Sequence, residues 1–161
     1  MKNMRIVVFS DTHGQRSAAA KVFDRNTNAD AFIFLGDGER EFEYAKDLYP
    51  HKTAVMVSGN CDYNSLYPST DIFMAGDTKI LFSHGHIHGV KSSTERIYNL
   101  ALSNGSKIVL FGHTHCRYYE YRDGIYLLNP GSASCPRDFS RPSYAIIDVT
   151  DKGIMCNHVD L

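Results

Sequence analysis

The chain carries no excess of either charge: 17 Lys and Arg stand against 18 Asp and Glu, a formal net charge of −1 over 161 residues. No global basic field exists to hold a nucleic-acid backbone or an anionic membrane, so a nucleic-acid or membrane partner is not expected and any phosphate chemistry must be local. Cysteine is sparse and scattered. Cys61, Cys116, Cys135 and Cys156 contain no C-x-x-C pair, which excludes a zinc clip or dithiol couple of that kind and suits a reducing, cytoplasmic setting. Long apolar runs are also missing. The first, Ile6 to Phe9, stops before Asp11, too soon for a signal-peptide core, and none approaches the roughly 20 apolar residues of a membrane span. With no repeat, linker or low-complexity segment, the expectation is one domain over 1–161. A chain of this length buries roughly 70% of the surface its unfolded form exposes, enough for a core without staples.

What the chain does have is eight histidines, six of them in three short segments: His13, then His84, His86 and His88, then His113 and His115. Short β-branched and aromatic runs recur at Met4 to Phe9, Ala31 to Leu35, Thr53 to Val57, Lys79 to Phe82 and Ile108 to Phe111, and read as buried strands. Segments with helical spacing lie among them: Ala19, Val22 and Phe23; Phe42, Ala45 and Leu48; Ile97, Tyr98, Ala101 and Leu102. This alternation predicts an α/β fold with parallel strands and helices outside. The last third reads differently. Tyr118 to Tyr121, Ile125 to Leu128, Tyr144 to Val149 and Ile154 to His158 are joined by Asp123-Gly124 or Asp151-Lys152-Gly153, as hairpins are.

Side chains capable of binding metal follow strand after strand: Asp11-Thr12-His13, Gly36-Asp37, Gly59-Asn60-Cys61-Asp62, His84-Gly85-His86 and Gly112-His113-Thr114-His115. In an open α/β sheet, ligands bind outside the carboxyl ends of the strands, so these five ends converge on one edge. Carboxylate, imidazole and amide oxygen without paired thiolates suit divalent ions such as Mn, Fe, Ni or Zn. Asp11, His13, Asp37, Asn60, His84, His113 and His115 exceed the four donors of a tetrahedral zinc, and two ions roughly 3.5–4 Å apart with one bridging carboxylate would use them all.

These segments resemble the calcineurin-like metallophosphoesterase superfamily, whose ordered pattern is D-x-H, G-D, G-N-x-D/E, G-H and G-H-x-H. Asn129-Pro130-Gly131-Ser132 resembles a further loop of its small bacterial and archaeal phosphodiesterase branch. The resemblance implies an α/β/β/α sandwich of two mixed sheets with the metal site at the strand carboxyl ends. It implies that Asp11, His13 and His115 hold one ion, that Asn60, His84 and His113 hold the other, and that Asp37 bridges. Manganese comes first among the candidate metals, and a hydroxide between the ions would attack a small phosphodiester in line.

The chain departs from the pattern at Cys61, where many family phosphatases place a histidine that protonates the leaving group. Cys61 and His86 are the two candidates for that role here. Two dications less Asp11, Asp37 and a hydroxide leave about one positive charge, which Asp62, if close and ionised, would cancel. Cys116, Cys135 and Cys156 read as packing residues, and His88 as solvated or supporting. No cap domain is visible, so specificity would come from loops 61–70 and 130–142 or from a second subunit in a homo-oligomer. The alternative function is an interaction scaffold of the same fold, as in the retromer subunit, with weak or no catalysis.

Overall fold

The computed structural model describes residues 3–161. Its first half alternates strand and helix: β1 (Met4–Phe9), α1 (Arg16–Arg25), β2 (Ala31–Phe34), α2 (Glu39–Leu48) and β3 (Thr53–Met56). The three strands pair in parallel, as strands joined by helical crossovers do. There follow β4 (Thr70–Ala75), β5 (Thr78–Ser83), a 3₁₀ turn at His86–His88, α3 (Glu95–Asn104), β6 (Ile108–Leu110), β7 (Arg117–Arg122), β8 (Ile125–Pro130), β9 (Ser143–Thr150) and β10 (Gly153–Asp160). One sheet has the order β10-β9-β1-β2-β3 and the other β4-β5-β6-β8-β7. Both are mixed, with three parallel strands and antiparallel strands completing each.

Side-chain alternation decides the layering. Ile6 and Val8 of β1 face the second sheet, where Ile80, Phe82, Ile108, Leu110 and Leu128 meet them. Val7 and Phe9 point the other way, toward α1 and α2. A strand buried on both faces needs an uninterrupted apolar run, and β1 has one. The helix-side layer is aromatic: Phe23 stacks on Phe32 with centroids 3.9 Å apart, and Phe34 on Phe42 at 5.5 Å. Truncating one of these fully buried rings to alanine costs about 3–5 kcal/mol. On the far side α3 lays Ile97, Tyr98 and Ala101 against Leu81, Val109 and Leu127. The result is the expected four-layer α/β/β/α sandwich.

Several details differ from the sequence reading. Leu48 and Leu102 are exposed, the buried stripe ending at Ala45 in α2 and at Ala101 in α3. The strand β4 went unread: it lies at an edge with Ile72 and Met74 facing outward, and Gly76 at φ +59° turns it into β5. The 123–124 hairpin forms as anticipated, with Asp123 and Gly124 at φ +47° and +85°. No helix among the described residues is long and apolar enough to cross a membrane.

The topology matters most for where the strands end. The parallel strands β1, β2 and β3 of one sheet and β5, β6 and β8 of the other all finish at one edge. There Gly112 donates its N–H to the His84 carbonyl at 3.0 Å, and Asp11 donates to Gly36 at 3.0 Å. Ser132 Oγ closes the seam between the sheets by donating to the Asp11 carbonyl at 2.8 Å.

Candidate metal centre

Five of the seven anticipated ligand residues have left-handed backbones although none is glycine: Asp11 at φ +57°, His13 at +41°, Asp37 at +60°, His113 at +67° and His115 at +58°. Each such residue costs on the order of 1–3 kcal/mol and persists only where its surroundings over-determine it. The surroundings here are tight. A Cβ on Gly36 would stand 2.5 Å from the Gly59 nitrogen, and one on Gly59 would stand 2.1 Å from Asp37 Oδ1. Glycine at both positions lets the loops after β2 and β3 touch, and Asp37 Oδ1 accepts the Cys61 N–H at 2.7 Å.

The donor atoms then face one another. His84 donates from Nδ1 to the Leu35 carbonyl at 2.7 Å, which leaves Nε2 with its lone pair inward. That Nε2 lies 3.2 Å from His113 Nδ1, 3.1 Å from Asn60 Oδ1 and 3.4 Å from Asp37 Oδ2. His115 repeats the device: Nδ1 donates to the Cys135 carbonyl at 2.9 Å, and Nε2 lies 3.1 Å from His13 Nε2 and 3.3 Å from Asp11 Oδ1. Asp37 Oδ2 is also 3.7 Å from His13 Nε2, so this one carboxylate faces both groups. Asp11 Oδ1 is buried with no hydrogen-bond partner. Converging nitrogen lone pairs and an orphaned carboxylate oxygen are unfavourable without positive charge between them, so the donor set fits divalent cations.

Protonation follows the same field. Burial pushes Asp11 up, but His115, His13, His84 and Ser10 outweigh it and hold the carboxyl well below its ordinary range. Asp37 is likewise lowered, with His84 and the Cys61 N–H overcoming burial. His13 and His115 are raised by the Asp11 carboxylate beside them, and His84, although burial lowers it, is raised on balance by Asp37 and Asp11. His113 is driven down to about 4, by burial first and then by His84.

Around these groups lies a supporting shell that the sequence only partly disclosed. Ser10 Oγ and the His113 N–H both donate to Asp11 Oδ2, at 2.6 and 3.1 Å. Asp62 does not join the donors. Its carboxylate accepts the N–H groups of Asp37, Gly38, Glu39 and Gly59 at 2.8–2.9 Å, tying the start of α2 to the loop after β3. Buried Asn129 donates to the Gly112 carbonyl and to Thr114 Oγ1 and accepts from Gly131, so the 129–132 loop braces the His113–His115 loop.

The remaining candidates lie at the rim. His86, on the 3₁₀ turn, has its ring 5.3 Å from that of His84, a buried and unpartnered Nδ1, and a pKa lowered by burial and His84. Cys61 is exposed, with its thiol pushed up to about 11 by desolvation and by Asp37. His88 turns away to Thr70, 3.2 Å distant. Cys116 and Cys156 are partly buried, and Cys156 packs on the inter-sheet core. Cys135 departs from the packing role read for it: it is exposed, and its Sγ lies 3.4 Å from His115 Nδ1. A cleft of about 530 Å³ opens beside the cluster, lined in part by His13, Asp37, Arg40, Cys61 and Tyr63.

A strand-end cluster of this composition on a two-sheet sandwich defines a metal-dependent phosphoesterase class. Residues 4–152 match the calcineurin-like phosphoesterase superfamily domain, and the chain belongs to that family. It is 34% identical over 145 residues to the probable metallophosphoesterase YsnB of Bacillus subtilis, covering 89% of this chain and 83% of that one. It is 26% identical over 170 residues to the phosphodiesterase YfcE of Escherichia coli, covering 90% and 88%. A crystal structure from Streptococcus pneumoniae, described as a predicted phosphoesterase, superposes with a TM-score of 0.86 at 28% identity over 99% of this chain and 91% of that one.

Proposed function

We propose that this metal-dependent phosphoesterase uses two divalent ions, manganese foremost, to hydrolyse small phosphodiesters in the cytoplasm, with one domain over 1–161 carrying the whole site. The observation that carries the reading is the pair of facing imidazole contacts, His84 with His113 and His13 with His115, on either side of Asp37 Oδ2. Asp11, His13 and His115 would hold one ion, Asn60, His84 and His113 the other, and Asp37 would serve both. When bound, the ions supply Lewis-acid charge to the phosphoryl oxygens and a water made acidic enough to ionise near neutrality.

The chain's own contribution is positioning. Hydrogen bonds from His84 and His115 Nδ1 to backbone carbonyls fix the tautomer and make Nε2 a better donor. Arg40 brings a cationic side chain to a cleft that otherwise presents Glu39, Glu41 and Asp62. At the leaving group, Cys61 keeps its proton at working pH, and His86, with a lowered pKa, is mostly neutral there. Neither is well matched as a general acid at neutrality. Substrates with good leaving groups are therefore favoured, and the name borne by YfcE supports the diester.

The test is hydrolysis of bis-p-nitrophenyl phosphate and p-nitrophenyl phosphate by the purified, manganese-loaded chain. The diester is expected to turn over faster, chelation to abolish turnover and manganese to restore it. Failure on both substrates would overturn the reading.

A further inference from the structure

The cleft of about 530 Å³ beside the cluster is larger than a phosphate needs and falls within the roughly 300–1,000 Å³ of small-molecule sites. Three segments line it: His13 and Gly14, then 37–41, then 61–63. It therefore begins at the cluster, to which His13 and Asp37 belong, and runs outward to the first turn of α2 and the loop after β3. Asp62 fixes how those two walls stand. Its Oδ1 accepts the Gly38 and Glu39 N–H groups at 2.9 Å while its Oδ2 accepts those of Asp37 and Gly59 at 2.8 Å, so Arg40 and Tyr63 extend from backbone that one carboxylate ties together. Tyr63 differs from its neighbour Tyr67, which is half-buried and donates its hydroxyl to Glu43. The Tyr63 ring is 84% exposed. A planar aromatic face and a planar guanidinium thus border a pocket whose inner end is the candidate ion site.

We propose that this cleft binds the planar heteroaromatic part of one ester arm, with Tyr63 and Arg40 as its stacking surfaces, so that the substrates are phosphodiesters of nucleosides. The inference deepens the phosphodiesterase reading above and rests on it. The lining decides between kinds of arm. Glu39, Glu41 and Asp62 against Arg40 make the outer cleft net negative, which repels an arm carrying a further phosphate. An alkyl chain would strip water from these charges and find only the Tyr63 ring to bury against. A base instead has a π face for the tyrosine ring and for the guanidinium, the two kinds of surface on which bases stack. Its edge and the attached sugar also form hydrogen bonds. Of the three carboxylates, Asp62 is taken up by backbone N–H groups, and buried Glu41 accepts from Thr12 Oγ1 at 3.2 Å. Glu39 is left as the acceptor for sugar hydroxyls. Tyr63 and Arg40 contribute to substrate binding and not to bond breaking.

Isothermal titration calorimetry of the manganese-loaded full chain with two slowly hydrolysed diesters, adenosine 5′-(methyl phosphate) and dimethyl phosphate, tests this. Both present the same phosphodiester monoanion to the ions, and only the first carries a base. The wild type should bind the adenosine diester more tightly by roughly tenfold or more, as one stacked base provides. Tyr63→Ala should remove most of that preference, Tyr63→Phe should keep it because the ring face remains, and Arg40→Ala should reduce it. Dimethyl phosphate should bind all three variants as it binds the wild type, which also shows that they are folded. Equal affinity for the two diesters in the wild type, or a preference that survives both Tyr63→Ala and Arg40→Ala, would overturn the assignment while leaving the two-ion reading intact, provided that bis-p-nitrophenyl phosphate is hydrolysed. A chain that neither hydrolyses that substrate nor binds either diester would overturn both.

Discussion

Nε2 of His84 and Nδ1 of His113 stand 3.2 Å apart, with the opposite nitrogen of His84 already committed to the Leu35 carbonyl. Without metal, the contact between two facing lone pairs becomes favourable only when a proton enters it. His84, raised by Asp37 and Asp11, holds it, and His113, pushed down to about 4, accepts. An ion takes the proton's place. Adding manganese to metal-free protein in weak buffer near neutrality should therefore acidify the solution, and the apparent affinity should fall as pH drops from about 8 to about 6. Metal binding independent of pH across that range would contradict the arrangement.

The same shifts give the metal-free protein a stability window. His13, His84 and His115 are raised above their ordinary 6.5, so their contribution is complete below pH 6.5 and is lost as pH rises through the raised values. Asp11 and Asp37 are lowered from 3.8, so theirs is complete above 3.8 and lost as pH falls through the lowered values. His113, lowered to about 4, and His86, His88 and His158, also lowered, act the other way and penalise the fold as pH falls below 6.5. Thermal melts in chelator should therefore give the highest Tm near pH 6.5, and metal should move the optimum to higher pH. A chelated protein most stable at pH 8 would refute the assigned signs.

Replacing Asp62 removes one acceptor from four backbone N–H groups. Water can reach some of these donors, so Asp62→Ala should cost about 2–4 kcal/mol in denaturant unfolding, with Asp62→Asn milder because its amide keeps one acceptor oxygen. Activity should fall along with stability, since Asp37 and Gly59 lose their tether. A loss under about 1 kcal/mol would mean that the two loops hold without the carboxylate.

Leaving-group chemistry separates Cys61 from His86. If the Cys61 thiol supplies the proton, Cys61→Ala should slow a dialkyl phosphodiester, which can only expel an alkoxide, about tenfold or more, and bis-p-nitrophenyl phosphate much less. His86→Ala should then affect both substrates alike. The reverse pattern would assign the proton to His86. Equal, small effects of both variants would show that neither residue donates.

The sequence disclosed the site better than its scaffold. Asp11, Asp37, His84 and His113 follow apolar runs such as Ile6 to Phe9, and the rule that ligands gather at strand carboxyl ends was enough to unite them. The strand β4 stayed hidden because an edge strand need bury only part of one face, and Ile72 and Met74 are exposed. Asp62 and Cys135 escaped for another reason. Their roles depend on backbone groups up to 25 residues away and on a contact to His115 across 20 residues, which no local pattern encodes. Left-handed backbone at Asp11 and His115 is equally illegible, because the strain is imposed by loops arriving from other strands.

The central claim is that two ions share Asp37. Anomalous diffraction from crystals grown with manganese tests it most directly. Two peaks roughly 3.5–4 Å apart, one among Asp11, His13 and His115 and one among Asn60, His84 and His113, with Asp37 in contact with both, are the expected result. A single peak, or none, in protein that keeps the side-chain arrangement described above would contradict it and favour the interaction scaffold.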